Sequence, residues 1–213
     1  MPLARIGDKI IFFAHVPKTG GASVEIYMAG KGKLALKHPY TLDWSATTAQ
    51  HMHATVHRKL VPEPFIDTSF TVVREPMARL ISEFNYRSDR EQAHGSFNTW
   101  AQTKLKALNS DAQLDDNHIR PQVDFLRWNM LIFRFEDGLD PVFDWIDRYT
   151  KTKAGDRSAR KNASTQRVVK PSAKTKDLVR KVYAQDYKMM DELDKAQKWP
   201  VRYKTIQQAV EGT

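Results

Sequence analysis

The chain has 213 residues, carries 34 Lys and Arg against 25 Asp and Glu, and contains no cysteine. Disulfide scaffolds, thiolate metal sites and cysteine nucleophiles are therefore excluded, and ten Phe, seven Tyr and five Trp exclude a collagenous or fully disordered chain. The length predicts one domain over residues 1–213. The net charge of +9 indicates an anionic partner of one of four kinds: nucleic acid, an acidic lipid surface, a phosphorylated cofactor or a polyanionic acceptor.

Three apolar runs of strand length are bounded by turn signals: Lys9–Val16, Ser69–Val73 and Met130–Phe135. Each run is followed by apolar residues at helical spacing, and the second and third of these helices begin at Pro76 and Pro141. Strands that alternate with amphipathic helices predict a three-layer α/β fold, with a central parallel sheet flanked by helices.

The N-terminal apolar run is too short to span a membrane and lacks the cleavage site of a signal peptide. Together with the absence of cysteine, this predicts a soluble, cytoplasmic protein.

The remaining chain is more polar. The stretch Asp89–Asp116 contains one predicted helix around Trp100–Leu108, Lys151–Lys176 is predicted to be a loop or a lid, and 177–193 is predicted to be a single C-terminal helix. The segment Lys151–Lys181 holds eleven Lys and Arg against two Asp, so the surplus of +9 lies there and the rest of the chain is neutral. We expect a basic lid over an anionic ligand, or else a solvated charged loop.

The first strand ends in a glycine-rich turn, residues 17–23 (PKTGGAS). Glycines let the backbone approach an anion closely, and the N–H groups at a helix start point at it. Lys18 precedes the glycines, so the turn differs from the GxxxxGK[ST] loop of nucleoside triphosphatases. The alternative interpretation is an ordinary Gly-Gly turn.

The second strand ends at Arg74, and Ser82 follows about two helical turns later. Ligands of open α/β sheets bind at this edge, where an arginine fork and a hydroxyl can share one phosphate. The alternative is a salt bridge at the strand end.

Both elements resemble motifs of the sulfotransferases that use 3′-phosphoadenosine 5′-phosphosulfate (PAPS), in the branch with carbohydrate and bacterial enzymes. Residues 13–23 (FAHVPKTGGAS) are similar to the 5′-phosphosulfate loop FxHxPKTGGTS, and residues 72–84 (VVREPMARLISEF) are similar to the 3′-phosphate element VVRxPxxRxxSxY. Further similarities at residues 120–126, 134–136 and 182–187 extend the resemblance over about residues 9–190. Ala22 departs from the pattern, which removes a hydroxyl but leaves the backbone N–H.

The resemblance implies a P-loop-like fold, as in nucleotide hydrolases of that class, and a PAPS-dependent transfer of the sulfuryl group to an acceptor hydroxyl, with adenosine 3′,5′-bisphosphate (PAP) as product and no metal. The acceptor would be a carbohydrate, a glycolipid or a small alcohol. Lys18 would be catalytic, and the donor would be bound by Lys18, Thr19, Gly20, Gly21, Ala22, Ser23, Arg74 and Ser82. His118, Arg120 and Gln122 would contact the acceptor, or alternatively belong to a loop before a helix.

The general base is expected between the two phosphate elements, where the resembled branch has a His-containing segment. His53 is the first candidate and His51 the second, although both could be surface histidines. A zinc site formed by these two residues with His57 is a weaker alternative, because no further ligand is near in sequence.

Two other functions compete with the sulfotransferase. A kinase-like or catalytically silent nucleotide binder could use the same scaffold, but the lysine after the glycines and a magnesium carboxylate are missing. A basic nucleic-acid-binding protein would use the charge surplus and would leave both phosphate motifs unexplained.

Overall fold

A computed structural model of the chain describes residues 1–38, 40–41, 43–127, 129–158, 165, 167–196 and 199–211. Within these residues, six strands form one sheet: β1 (Leu3–Ile6), β2 (Lys9–Ala14), β3 (Lys33–Ala35), β4 (Thr68–Val73), β5 (Leu131–Arg134) and β6 (Val201–Arg202). The same residues contain eight α-helices: α1 (Gly21–Ala29), α2 (Ala54–Leu60), α3 (Pro76–Ser88), α4 (Phe97–Ala107), α5 (Asp140–Thr150), α6 (Ala173–Val182), α7 (Ala184–Lys195) and α8 (Tyr203–Glu211). Short 3₁₀ turns lie at Ala49–His51, Glu63–Phe65, Gln122–Phe125 and Phe135–Asp137.

The strand order is β3-β1-β2-β4-β5-β6. The three strands predicted from sequence, β2, β4 and β5, lie side by side and are parallel, with Phe13 opposite Phe70 and Thr71 opposite Ile132. The prediction of an all-parallel sheet is wrong at the edges, because β1, β3 and β6 pair antiparallel. These strands have four residues or fewer, which is too short for a periodicity signal, and the two-residue turn between β1 and β2 permits only antiparallel pairing.

Helices cover both faces of the sheet. Alternation along β2 sends Phe12 to one face, where it packs in a cluster with residues of α7 and α8, and Phe13 to the other, where α1 and α5 lie. A third cluster joins α3, α4 and α6 beside the sheet. The predicted layers of an α/β fold are therefore present around a mixed sheet.

The predicted single helix over 177–193 is instead two helices. Tyr183, at φ −104° and ψ 31°, ends α6, and α7 begins at the next residue. Tyr183 is buried, and its hydroxyl donates to the Ile119 carbonyl at 2.6 Å, so tertiary packing fixes the break. The helix α8 lies beyond the range predicted from sequence.

The basic segment 151–176 is partly described. Residues 152–158, 165 and 167–172 form no helix or strand, and 173–176 begin α6 after the N-cap Ser172. Residues 159–164 and 166, which include two of the basic side chains, lie outside the described residues. Among the described residues, no helix is both long enough and apolar enough to cross a membrane.

Candidate active site

A cavity of about 540 Å³ opens at the carboxyl ends of β2 and β4. The glycine-rich turn forms one wall, α3 another, and the connection between β5 and α5 a third. The sequence-predicted residues that line it are Lys18, Gly20, Gly21, Ala22, Ser23, His51, Arg74, Ser82 and His118. Both predicted phosphate elements therefore face one space.

The glycine-rich turn is shaped to present backbone N–H groups. Lys18 and Gly20 have left-handed backbone angles, at φ 68° and 80°, and α1 begins at Gly21 without a side-chain cap. Because the first N–H groups of a helix have no intrahelical partner, those of Gly21 and Ala22 are available to an anion. Thr19 does not line the cavity: it is buried, and its hydroxyl donates to the Val16 carbonyl at 2.8 Å.

Gly20 and Gly21 lie so close to neighbouring side chains that a larger residue would clash at either position. A Cβ on Gly21 would lie 2.3 Å from Nε2 of His15. A Cβ on Gly20 would lie 3.0 Å from Leu139, at a backbone angle that L-residues avoid. One side of the turn therefore packs closely against His15 and Leu139, while the other side faces the cavity.

Arg74 is held from two sides. The Gln122 side chain accepts from the Arg74 backbone N–H at 2.9 Å and donates to the Arg74 carbonyl at 2.7 Å. The Arg74 guanidinium donates to the Lys18 carbonyl at 3.3 Å and lies over the Phe135 ring at 4.5 Å. This arrangement orders the fork before any ligand arrives.

Three cavity-lining histidines each meet a carboxylate through Nδ1. His15 contacts Glu25 at 2.5 Å, His51 contacts Asp116 at 2.7 Å, and His118 contacts Glu83 at 2.8 Å. The rings are in edge-to-face contact, with centroids 5.0 Å apart between His15 and His51 and 4.8 Å apart between His51 and His118.

Burial and neighbouring charges shift the pKa values of the side chains around these histidines. Burial lowers the pKa of His51 and outweighs the opposing effect of its hydrogen bond to Asp116, so the imidazole is neutral at neutral pH. Burial acts to raise the pKa of Glu83, but His118, Arg87 and Lys18 outweigh it and hold the pKa at about 2. Because each Nδ1 is directed at a carboxylate, the opposite nitrogen, Nε2, is left to exchange protons.

In the part of the chain that the structure describes, one group of side chains could hold a metal ion. It consists of His51, Asp116 and His118, whose potential ligand atoms all lie within 4.8 Å of one another. Asp116 already accepts from the Thr48 backbone at 2.6 Å and the Thr48 hydroxyl at 2.9 Å, besides its contact with His51. With these hydrogen bonds, Asp116 is suited to orient the His51 ring. Among the described residues, the trio of His51, His53 and His57 forms no such group.

Besides Thr19, three predicted residues lie away from the cavity lining. His53 precedes α2, and the field acting on it comes from Arg120 and Asp124. Arg120 binds Asp124 at 2.7 Å. Gln122 is fully buried beneath Arg74. These positions belong to the layer that supports the cavity.

Five polar cavity residues have no role assigned from sequence: His15, Gln50, Tyr86, Asp140 and Arg157. His15 stands inside the quoted 5′-phosphosulfate motif, so its position was the available signal. Arg157 belongs to the basic segment and is held over the cavity by Asp140 at 3.1 Å and Asp144 at 2.6 Å. No local pattern marks Tyr86.

Comparison with known proteins identifies the family. The chain matches a family model described as "Sulfotransferase family" over residues 3–191. Searches of curated proteins and of solved structures each give no match. The match covers both phosphate elements and nearly all of the sheet, and the chain belongs to the sulfotransferase family.

Proposed function

We propose that this protein transfers the sulfuryl group of PAPS to a hydroxyl of a carbohydrate, glycolipid or small alcohol. The observation that carries the proposal is the meeting of two anion-binding elements, the turn at residues 17–23 and the pair Arg74 and Ser82, on one cavity. A nucleotide with phosphates at both its 5′ and 3′ ends needs two such elements, whereas a simple 5′-nucleotide needs one.

The residues present fit such a donor. The turn offers uncapped N–H groups with the Lys18 ammonium, and Arg74 offers a preordered guanidinium for a second phosphate. Phe135, Leu139 and Phe143 give the cavity an apolar wall between charged elements, which suits a nucleoside. The cavity volume of about 540 Å³ lies in the range of small-molecule sites.

When bound, the donor supplies a sulfuryl group joined to a 5′-phosphate leaving group. Lys18 and the N–H groups of Gly21 and Ala22 stabilise the negative charge that develops on the departing phosphate oxygen. Arg74 and Ser82 bind the 3′-phosphate and fix the donor for in-line displacement. The acceptor oxygen forms the new bond to sulfur as the bond from sulfur to the phosphate oxygen breaks.

The acceptor proton must go to a base, and we assign this role to His51. Its imidazole lines the cavity, is neutral, and is oriented by Asp116, whereas His53 lies off the cavity lining. Nε2 of His51 accepts the hydroxyl proton while Nδ1 stays paired with Asp116. His118 is close enough to contact an acceptor held against His51.

The basic segment contributes at the cavity mouth. Arg157 lines the cavity, and Arg167 pairs at 2.7 Å with Asp89, the residue that follows α3. We propose that its charge recruits the anionic donor, and that an anionic acceptor gains from the same field.

Thermal-shift titration with PAP, ATP and single-stranded DNA tests the donor. We expect stabilisation by PAP above all, and loss of the preference for a 3′-phosphate in Arg74→Ala. Stabilisation by ATP or DNA without any by PAP refutes the proposal in favour of a nucleotide- or nucleic-acid-binding protein. Transfer from labelled PAPS to cell extract, followed by isolation of sulfated products, identifies the acceptor.

The base is tested with single variants. We expect His51→Ala to bind PAP normally and to lower turnover by about 10²-fold or more. His53→Ala is the matched control and should retain most activity. Loss of turnover in His53→Ala with normal turnover in His51→Ala would show that His53 is the base instead.

A further inference from the structure

Lys18 meets an aromatic ring across the cavity. Its Nζ lies 3.7 Å from the centroid of the Tyr86 ring, and the Arg90 guanidinium lies at the same distance from that centroid. Two cations at van der Waals distance from one ring would collide on a single face, so the ring lies between them. Tyr86 therefore contacts the residue on which leaving-group stabilisation depends.

Few other groups stabilise the Lys18 ammonium. Within the described residues it has no carboxylate at salt-bridge distance, and Glu83, whose field acts on it, is engaged by Arg87 at 2.5 Å and His118 at 2.8 Å. Burial lowers the pKa of Lys18 to about 8, and the remaining fields oppose each other, with Glu83 raising it and Arg90, Arg74 and Arg87 lowering it. The negative face of an aromatic ring offsets such a positive field.

The position of Tyr86 also has a geometric consequence. It lies one helical turn after Ser82 on α3, and both side chains line the cavity. A lysine side chain has four rotatable bonds, and contact with this ring directs the ammonium across the cavity instead of into solvent. The ammonium is thereby kept between the 5′ and 3′ phosphate elements.

We propose that Tyr86 is a positioning residue that holds Lys18 charged and directed into the cavity before the donor binds. The inference rests on the proposed function for the role of Lys18 but makes a prediction about Lys18 itself. The aromatic ring makes both cation contacts, and the hydrogen bond that Arg90 donates to Tyr86, at 3.2 Å, goes to the backbone carbonyl and not to the hydroxyl. A cation–π contact of this kind is worth about 0.5–2 kcal/mol, which corresponds to about 0.4–1.5 pKa units.

Competitive labelling of lysines with acetic anhydride, read by mass spectrometry of the Lys18 peptide between pH 6 and 11, measures the Lys18 pKa without any nucleotide. We expect Tyr86→Leu to lower that pKa by about 0.4–1.5 units and Tyr86→Phe to leave it unchanged. Arg90→Gln, which removes a like charge and keeps the ring, should raise it. Opposite signs at the two contacts of one ring are not expected from general loosening of the fold.

Donor kinetics then connect the contact to function. In Tyr86→Leu we expect kcat/KM for PAPS to fall about 2- to 30-fold, with the alkaline limb of its pH profile moved to lower pH, and in Tyr86→Phe we expect wild-type values. An unchanged or raised Lys18 pKa in Tyr86→Leu, or equal defects in the Leu and Phe variants, overturns the proposal. Absence of any sulfuryl transfer by the wild-type protein would overturn the proposed function instead, and the labelling result would still decide the role of Tyr86.

Discussion

Substitution of Gly21 by alanine tests whether the glycine-rich turn needs its close contact with the His15 ring. A Cβ at this position would lie 2.3 Å from Nε2, 2.4 Å from Cδ2 and 2.7 Å from Cε1 of His15. Ordinary contacts of a Cβ begin near 3.4 Å, so the methyl group or the ring must move by about 1 Å.

The His15 ring has little freedom to give way. It is 6 % exposed, its Nδ1 is held by Glu25 at 2.5 Å, and it lies between Phe13 and His51, with centroids at 5.5 and 5.0 Å. We therefore expect the turn to shift at the start of α1. An overpacked site of this kind costs about 1–3 kcal/mol of stability, which opposes the gain of about 1 kcal/mol for alanine over glycine in a helix.

The functional loss should exceed the loss of stability. A displacement of about 1 Å in a catalytic constellation costs about 10²-fold in rate. For Gly21→Ala we expect PAP affinity to fall at least about tenfold, equivalent to about 1.4 kcal/mol, and transfer to fall further. Isothermal titration calorimetry with PAP measures the first effect, and initial rates with labelled PAPS measure the second.

Two controls isolate the steric cause. Gly30→Ala is the matched variant, because a Cβ there meets its nearest atom, the Tyr27 carbonyl oxygen, at 3.5 Å; we expect near-wild-type affinity. Adding His15→Ala to Gly21→Ala removes the ring that the methyl group meets and should recover part of the PAP affinity. Wild-type affinity in Gly21→Ala would refute the reasoning, since the turn could then adjust without moving its N–H groups.

The remaining predictions concern the hydrogen bonds that hold Arg74 and the charges of Glu83 and Lys18. Gln122→Met leaves the half-buried Arg74 N–H and carbonyl without their Gln122 partners, so we expect a loss of about 1–3 kcal/mol in total and a lower ratio of PAP to 5′-AMP affinity. Denaturant unfolding measures the first effect and calorimetry the second. Glu83→Gln removes the buried carboxylate that pairs with the Arg87 guanidinium at 2.5 Å and should cost about 3–5 kcal/mol. Because the pKa of Glu83 is lowered to about 2, the ion-pair stabilisation is present above pH 4.5 and is lost as the pH falls towards 2, so the difference between wild type and variant should shrink in unfolding curves at pH 3. Since burial lowers the pKa of Lys18 to about 8, kcat/KM for PAPS should fall as the pH rises above about 8, and a flat profile to pH 10 would contradict its role.

The two proposed phosphate elements can be predicted from sequence because their signals are local. A buried strand, a glycine-rich turn and a helix start lie within residues 9–24, and the second element lies within residues 72–84. Parallel strands present their carboxyl ends at one sheet edge, so their convergence also follows from the order of the elements. The three central strands and the helices after them were predicted for the same reason.

Other features depend on contacts between distant parts of the chain. The pairing of His51 with Asp116 joins residues 65 positions apart, and that of Gln122 with Arg74 joins residues 48 apart. Nothing in the sequence around His53 indicates that it lies off the cavity lining, because a spacing of two residues from His51 does not fix its direction.

The sequence by itself determined the family, the two segments proposed to bind phosphate and the strands that bring them together, since each rests on residues adjacent in the chain. Tertiary structure decided which histidine faces the cavity, which carboxylate orients it, and where Tyr86 meets Lys18. It also placed Arg157 of the basic segment at the cavity. These choices depend on how α3, the 3₁₀ turn Ala49–His51 and the β5–α5 connection pack around the sheet. The direction of a side chain across such packing is set by the whole fold and not by a local pattern.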